Sequence, residues 1–346
     1  PPRAPPPAPA QGAMAGPTGA WGAVSVEGDE RPGPRGGHCG AATSGTSAVF
    51  VGGADRTAEA HTDCWRLTRS GGAGAPLRWE KLDVPMPPGP PLPPRAGATA
   101  CLVGRDVLIF GGQDPAAGVA YNDVVALERV GGGSVDKAAW RRLPTPKSGS
   151  PPPRHSHSAV AVNGRLLVVF GGATAEGPSS DLYVLDAETG EWSRPSVKGQ
   201  APPAREMHAA VMLDERHMLV FGGRGADGSV LADCCLLDVE EMAWVGRHTL
   251  GVARCAHAAV PHPAGGRRAL VFGGFSGEDV TGDLLELEWP EGAAAPKCQV
   301  ACPQSASVVA PSPRFAAAAA VVGGAMVVFG GVNPAEDLAD VAAWEA

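Results

Sequence analysis

Six times along this chain a short apolar run ends in a pair of glycines. The pairs are Gly52-Gly53, Gly111-Gly112, Gly171-Gly172, Gly222-Gly223, Gly273-Gly274 and Gly330-Gly331. An arginine precedes each pair (Arg35, Arg95, Arg154, Arg205, Arg254, Arg314) at a nearly constant distance, lengthened only in the fifth unit. An aspartate follows each pair at a similarly narrow spacing (Asp63, Asp123, Asp181, Asp233, Asp283, Asp340) and opens a second apolar run. In four units a tryptophan comes next: Trp79, Trp140, Trp192 and Trp244. A recurrence of this kind marks a repeat architecture, and it must be explained before any single motif is.

Each unit reads as four short strands. Strand a follows the arginine, strand b ends at Gly-Gly, strand c follows the aspartate and strand d carries the tryptophan. A sheet this small cannot bury both faces alone, so the sheets must stack face to face around an axis. Glycine pairs supply turns with positive φ and close backbone approach. An outer tryptophan offers the large apolar surface needed where blades splay apart.

Composition agrees once the period is seen. With 48 Gly and 35 Pro in 346 residues, about a quarter of the chain, disorder would otherwise be the default. Alanine is also abundant, and the repeat assigns it no role. The formal net charge of −8, with both signs interspersed, excludes a phosphate-backbone binder and so nucleic acid. No apolar stretch reaches the length of a membrane span, so no membrane insertion is expected. Eight irregularly placed cysteines and no N-x-S/T sequon favour a reduced, cytoplasmic chain. Cys298 and Cys302 have no second pair to complete a four-ligand zinc site.

Units of this length, with a diglycine closing the second strand and a later tryptophan, resemble the kelch repeat over residues 20–346. The Arg-x-x-His variant, with His38, His157, His208 and His257 but Ala98 and Ala317 in the other two units, is similar to the Rab-effector-like and host-cell-factor-like subtype. The resemblance implies an all-β, six-bladed kelch β-propeller with four-stranded antiparallel blades. The spacing places the blades at about 35–84, 95–144, 154–197, 205–248, 254–304 and 314–346. The sixth unit stops after its strand c. Trp21 precedes Arg35 by a gap within the range that separates Trp79, Trp140, Trp192 and Trp244 from the arginines that follow them. Residues 20–26 are therefore expected to complete the last blade. Residues 1–19, rich in Pro, Ala and Gly, read as a disordered or polyproline II tail. The fifth unit has Cys298 to Val300 where the tryptophan should be, and is expected to be the least well wedged.

No constellation announces chemistry. The six arginines are expected to pair with aspartates or loop carbonyls as part of the repeat, and the histidines to point into separate inter-blade cores. Kelch enzymes that use copper take tyrosine and histidine ligands, whereas Tyr121 and Tyr183 are this chain's only tyrosines and read as core. No E-x3-D-x3-H iron motif and no Ser/His/Asp or Cys/His arrangement occurs. The P-x-x-P-x-R run ending at Arg95 fits an SH3 ligand, but proline also stiffens the other crossovers. Neither a catalytic residue, a metal ligand nor a cofactor is expected.

Surface loops remain, and variable loops on a rigid scaffold are where binding concentrates. The b–c loops after each Gly-Gly carry Arg56, Glu59, Asp114, Arg224, Asp227, Glu278, Asp279, Glu336 and Asp337, with Phe275 as an exposed aromatic. The function read from this is a non-catalytic protein–protein interaction scaffold or adaptor, with other proteins as partners, in a cytoskeletal or ciliary assembly. Two alternatives stand beside it: a small-molecule or sugar-acting enzyme using the central channel, and a ubiquitin-ligase substrate receptor with a further upstream domain.

Overall fold

A computed structural model describes residues 19–346, apart from 73, 87–90, 133–134, 136, 145–148, 294 and 303–308. Among these residues there are strands and turns but no helix, and so none long and apolar enough to cross a membrane. The expected tail (1–18), the start of the P-x-x-P run (87–90) and the Cys302 side chain lie outside the described residues.

The strands form six antiparallel blades. Blade 2 is representative: Thr99–Val103, Asp106–Phe110, Val124–Glu128 and Ala139–Arg142 pair in that order from the axis outward. The innermost strands touch one another from blade 1 round to blade 6 and back to blade 1, closing the ring. Ala20–Gly22 supplies the outer strand of blade 6, pairing Trp21 with Trp344 on Val341–Glu345. Val26–Glu27 then adds a short parallel strand to the outer edge of blade 1 at Leu77 and Arg78. One N-terminal strap thus covers both sides of the closing seam. Two ion pairs also cross it: Arg56 with Asp337, and Arg69 with Glu345.

The core is six inter-blade clusters rather than one centre. The phenylalanine that ends strand b in most blades is fully buried and sandwiched by the next blade. Phe170 lies 5.4 Å from the His208 ring and 5.2 Å from Trp244. Phe110 stands in the same way between His157 and Trp192, at 5.0 and 5.1 Å, and Phe329 between His38 and Trp79, at 4.8 and 4.9 Å. At the blade 5–6 interface Trp21 covers Phe272 at 5.0 Å. Trp140 fills the blade 1–2 interface against aliphatic side chains. These contacts explain why His and Trp recur at fixed distances from Gly-Gly.

Blade 5 corrects the expectation of a poorly wedged unit. Cys298 does stand opposite Leu287, the register that tryptophan takes elsewhere. However, Trp289, just beyond strand c (Leu284–Glu288), is 4% exposed and fills the blade 4–5 cluster. It lies over Gly246, where a Cβ would come within 2.7 Å of the indole. An indole is present, delivered from the other side.

Deleting residues 1–26 removes the outer strand of blade 6 and the buried Trp21. Burying one tryptophan contributes about 3–5 kcal/mol, so the melting temperature is expected to fall by roughly 5 °C or more. A thermal melt that does not move would refute the shared-blade closure.

Candidate interaction face

Each arginine named in the repeat is buried at the head of its blade. Arg205 is representative: one guanidinium nitrogen donates to the Gly222 carbonyl at 2.9 Å and to Asp233 at 2.8 Å, and the other to the second Asp233 oxygen at 2.9 Å. Arg35, Arg95 and Arg314 make the same two-pronged contact with Asp63, Asp123 and Asp340. Two blades depart from it. Asp181 pairs with the exposed Arg194, so Arg154 keeps the Gly171 carbonyl at 2.7 Å and the face of Tyr183. Arg254 stands 3.7 Å from Asp283. Tyr121 likewise lies against Arg95, so both tyrosines pack on repeat arginines; Tyr183 is buried as expected of core, whereas Tyr121 is half-buried.

The histidines are held by the scaffold too. His157 and His208 bond Thr99 and Ser158 of the preceding blade at 2.9 Å. His257 and His38 meet no such hydroxyl, and among the described residues neither ring nitrogen of His257 has a hydrogen-bond partner. Burial first, and the neighbouring ring arginine second, push His38, His208 and His257 down to about 3 and His157 well below its ordinary value. Burial also pushes the thiols of Cys39 and Cys101 up to about 12, so neither is a thiolate nucleophile at neutral pH. Among the described residues no group of three or more His, Cys, Asp or Glu could hold a metal.

Alanine has a structural role that composition did not suggest. The axial cavity, about 240 Å³, is lined mid-height by one small residue per blade: Gly40, Ala100, Ala159, Ala210, Ala259 and Ala319. Its polar lining, Thr99 with His157 and Ser158 with His208, is bonded to itself.

Above the cavity a ring of backbone hydrogen bonds forms the mouth. Gly97 N donates to Gly37 O, Ser156 to Gly97, Met207 to Ser156, Ala256 to Met207, Ala316 to Ala256 and Gly37 to Ala316, at 2.7 to 2.9 Å. All six are left-handed, including Ser156, Met207, Ala256 and Ala316 at φ between +53° and +55°. The residue before each of these faces the first residue of its blade's b–c loop: Gly36 faces Ala54, Ala96 Gln113, His155 Ala173, Glu206 Arg224, Cys255 Phe275 and Phe315 Val332.

Antiparallel order puts every b–c loop at the end of the blade where strand a begins, so the loop residues named from sequence share one face. Arg56 and Asp337 come together: Asp337 accepts from the Arg56 backbone and side chain, and Arg56 also donates to Ala335 and Asn333 carbonyls. Asp114 and Asp227 shape their own loops, accepting from Ala116 and Ala117 and from Ser229. Glu59, Glu278, Asp279 and Glu336 are exposed. Phe275 is half-buried rather than exposed, and its backbone bridges Cys255 and Val280. Arg224 donates to Glu206, a carboxylate only 5% exposed that sequence reasoning missed. Its signal was positional: the residue after the ring arginine differs from blade to blade.

A family model described as the KLHDC2/KLHL20/DRC7 Kelch-repeats domain matches residues 15–177 and 76–251. Acyl-CoA-binding domain-containing protein 4 of Arabidopsis thaliana is 33% identical over 192 residues, 56% of this chain and 26% of that protein. Adagio-like protein 1 of Oryza sativa subsp. japonica is 33% identical over 208 residues, 58% of this chain and 31% of that protein. Human host cell factor 1 is 34% identical over 223 residues, 60% of this chain and 10% of that protein. The chain thus spans less than a third of these relatives. The solved structure titled "Structure of YjhT" shares the fold, with a TM-score of 0.66 at 16% identity over 92% of this chain and 96% of that one.

The buried histidines make stability depend on pH. Above pH 6.5 the four are neutral both folded and unfolded, so they leave stability unchanged. Below it the unfolded chain takes up protons that the folded chain refuses, and stability falls by about 1.4 kcal/mol per pH unit for each histidine. In equilibrium unfolding between pH 6 and 4 the histidines are expected to add uptake of up to about four protons, and His257→Ala, the residue found in units 2 and 6, to remove about one of them. An unchanged proton count in His257→Ala would refute this assignment. Ala256→Gly relieves a left-handed residue and is expected to stabilise by about 1 kcal/mol in denaturant titration. Destabilisation would mean that the mouth ring does not impose that conformation.

Proposed function

The chain belongs to the kelch-repeat family, and on that premise we propose that it is a non-catalytic protein–protein interaction scaffold or adaptor that binds partners through its b–c loop face. The observation that carries this reading is where the blades differ. The arginines, histidines and axial alanines are consumed by the scaffold. By contrast, the mouth positions and b–c loops change from blade to blade. The sugar-acting alternative needs polar groups converging on the channel. Those described there are two His–hydroxyl pairs already bonded within the wall. We also propose that the chain acts in the cytoplasm as a subunit of a larger, cytoskeletal or ciliary assembly.

Cross-linking mass spectrometry on the full chain in its source cells tests this. A carboxylate-reactive linker suits a face whose exposed ionisable groups are mainly Asp and Glu. Cross-links from Glu59, Glu278, Asp279 and Glu336 to other proteins are expected. Links confined to the opposite face or outer strands, or turnover of a sugar by the purified chain, would overturn the reading.

A further inference from the structure

We propose that the mouth between blades 4, 5 and 6 receives a lysine or arginine side chain from an apolar, basic segment of a partner protein. This rests on the b–c loop face being the binding surface, and it specifies the chemistry of what binds there.

Three observations converge on it. First, the mouth is asymmetric. Blades 1 and 2 contribute Gly36, Ala54, Ala96 and Gln113, whereas blades 5 and 6 contribute two phenylalanines. The Gly274 amide donates to the Arg314 carbonyl at 2.8 Å, which places the next residues, Phe275 and Phe315, at adjacent positions of the mouth. Both residues are half-buried. Second, Glu206 follows at the adjoining mouth position, since Met207 and Ala256 are joined in the backbone ring. Its Oε1 accepts from Arg224 Nε at 2.8 Å, and its Oε2 accepts no bond among the described residues, although the residue is 5% exposed. A largely buried carboxylate with one oxygen still open gains from a cationic donor.

Third, the face is electrostatically one-sided. The six b–c loops hold nine carboxylates against two arginines. Both arginines are already engaged, Arg56 by Asp337 and Arg224 by Glu206. A cationic segment is attracted to such a face and an acidic one is repelled. The aromatic pair covers the aliphatic stem of a Lys or Arg while Glu206 takes its N–H.

The test is fluorescence anisotropy on the full chain with labelled peptides of alternating Lys and Phe, alternating Lys and Ser, and alternating Glu and Phe. The Lys/Phe peptide is expected to bind saturably and best. Glu206→Gln, which keeps the Arg224 hydrogen bond, and the double variant Phe275→Ala/Phe315→Ala should each weaken it at least about tenfold. Glu278→Lys/Asp279→Lys, on exposed residues that leave the core untouched, should weaken it as well. Glu188→Lys/Glu240→Lys, in the c–d turns of the opposite face, should leave it nearly unchanged. Equal binding of the Lys/Ser peptide, preference for the Glu/Phe peptide, or equal loss in the opposite-face variant would overturn the proposal. No saturable binding alongside intact loop cross-links overturns this chemistry alone. Absence of loop cross-links removes the broader reading with it.

Discussion

A buried arginine at the head of each blade ties that blade to itself through its side chain and to its neighbour through its backbone. In five blades the guanidinium holds the first glycine's carbonyl, and in four of these it also grips the strand c aspartate; in blade 5 Arg254 donates to the Ala253 carbonyl instead. The arginine's own carbonyl accepts from the second glycine of the preceding blade, from Gly53 to Arg95 round to Gly331 to Arg35. This double duty sets the glycine requirement. The first glycines lie at φ between +61° and +71°, and a Cβ at Gly222 would sit 2.3 Å from the Arg254 carbonyl oxygen. Where both partners are buried, as in Arg205–Asp233, the pair adds little net stability against an apolar replacement, but removing one partner strands the other at a cost of about 3–5 kcal/mol. Arginine, diglycine and aspartate are therefore one interlocked unit.

That interlock is why the architecture was legible. Residues that must meet across fixed strand lengths keep fixed spacings, so the distances from Arg to Gly to Asp encode a blade. The missing fourth strand of unit 6 was readable for the same reason, because Trp21 stands at a blade-like distance from Arg35. Features without a spacing rule were not readable. The left-handed mouth ring uses Ser156, Met207, Ala256 and Ala316, residue types that carry no sign of positive φ, and only Gly37 and Gly97 hinted at it. Trp289 was missed as a wedge because it reaches the interface from beyond strand c rather than from strand d. The alanines of strand a had no role in the repeat until the structure placed Ala100, Ala159, Ala210, Ala259 and Ala319 around the axial cavity.

Departures from the repeat show how much the ring tolerates. In blade 3, Asp181 turns to Arg194, and one terminal nitrogen of the fully buried Arg154 has no hydrogen-bond partner among the described residues. Tyr183 lies against both guanidinium groups and offers Arg154 its electron-rich face in place of a carboxylate. In blade 4 the equivalent aspartate serves two cations, since Asp233 accepts from Arg247 as well as Arg205. Neither arrangement disturbs the backbone bonds to neighbouring blades, which pass through Arg154 and Arg205 as they do elsewhere. The inter-blade link is carried by main chain, so the side-chain half of the unit can drift in one blade without opening the ring.

The same division explains why the candidate site was only partly legible. A residue demanded by every blade answers to the scaffold and says nothing about a partner. Information about partners must sit where one blade can change without its neighbours, and the backbone ring creates such positions by fixing the main chain on either side of them. Glu206, Cys255 and Phe315 occupy one such position in three successive blades and share no chemistry. The b–c loop charges were visible because loops are expected to vary. Glu206 was not, because it stands inside the Arg-x-x-His signature, where attention goes to the residues that recur. In a symmetric scaffold the informative residue is the one that breaks the pattern beside a residue that keeps it.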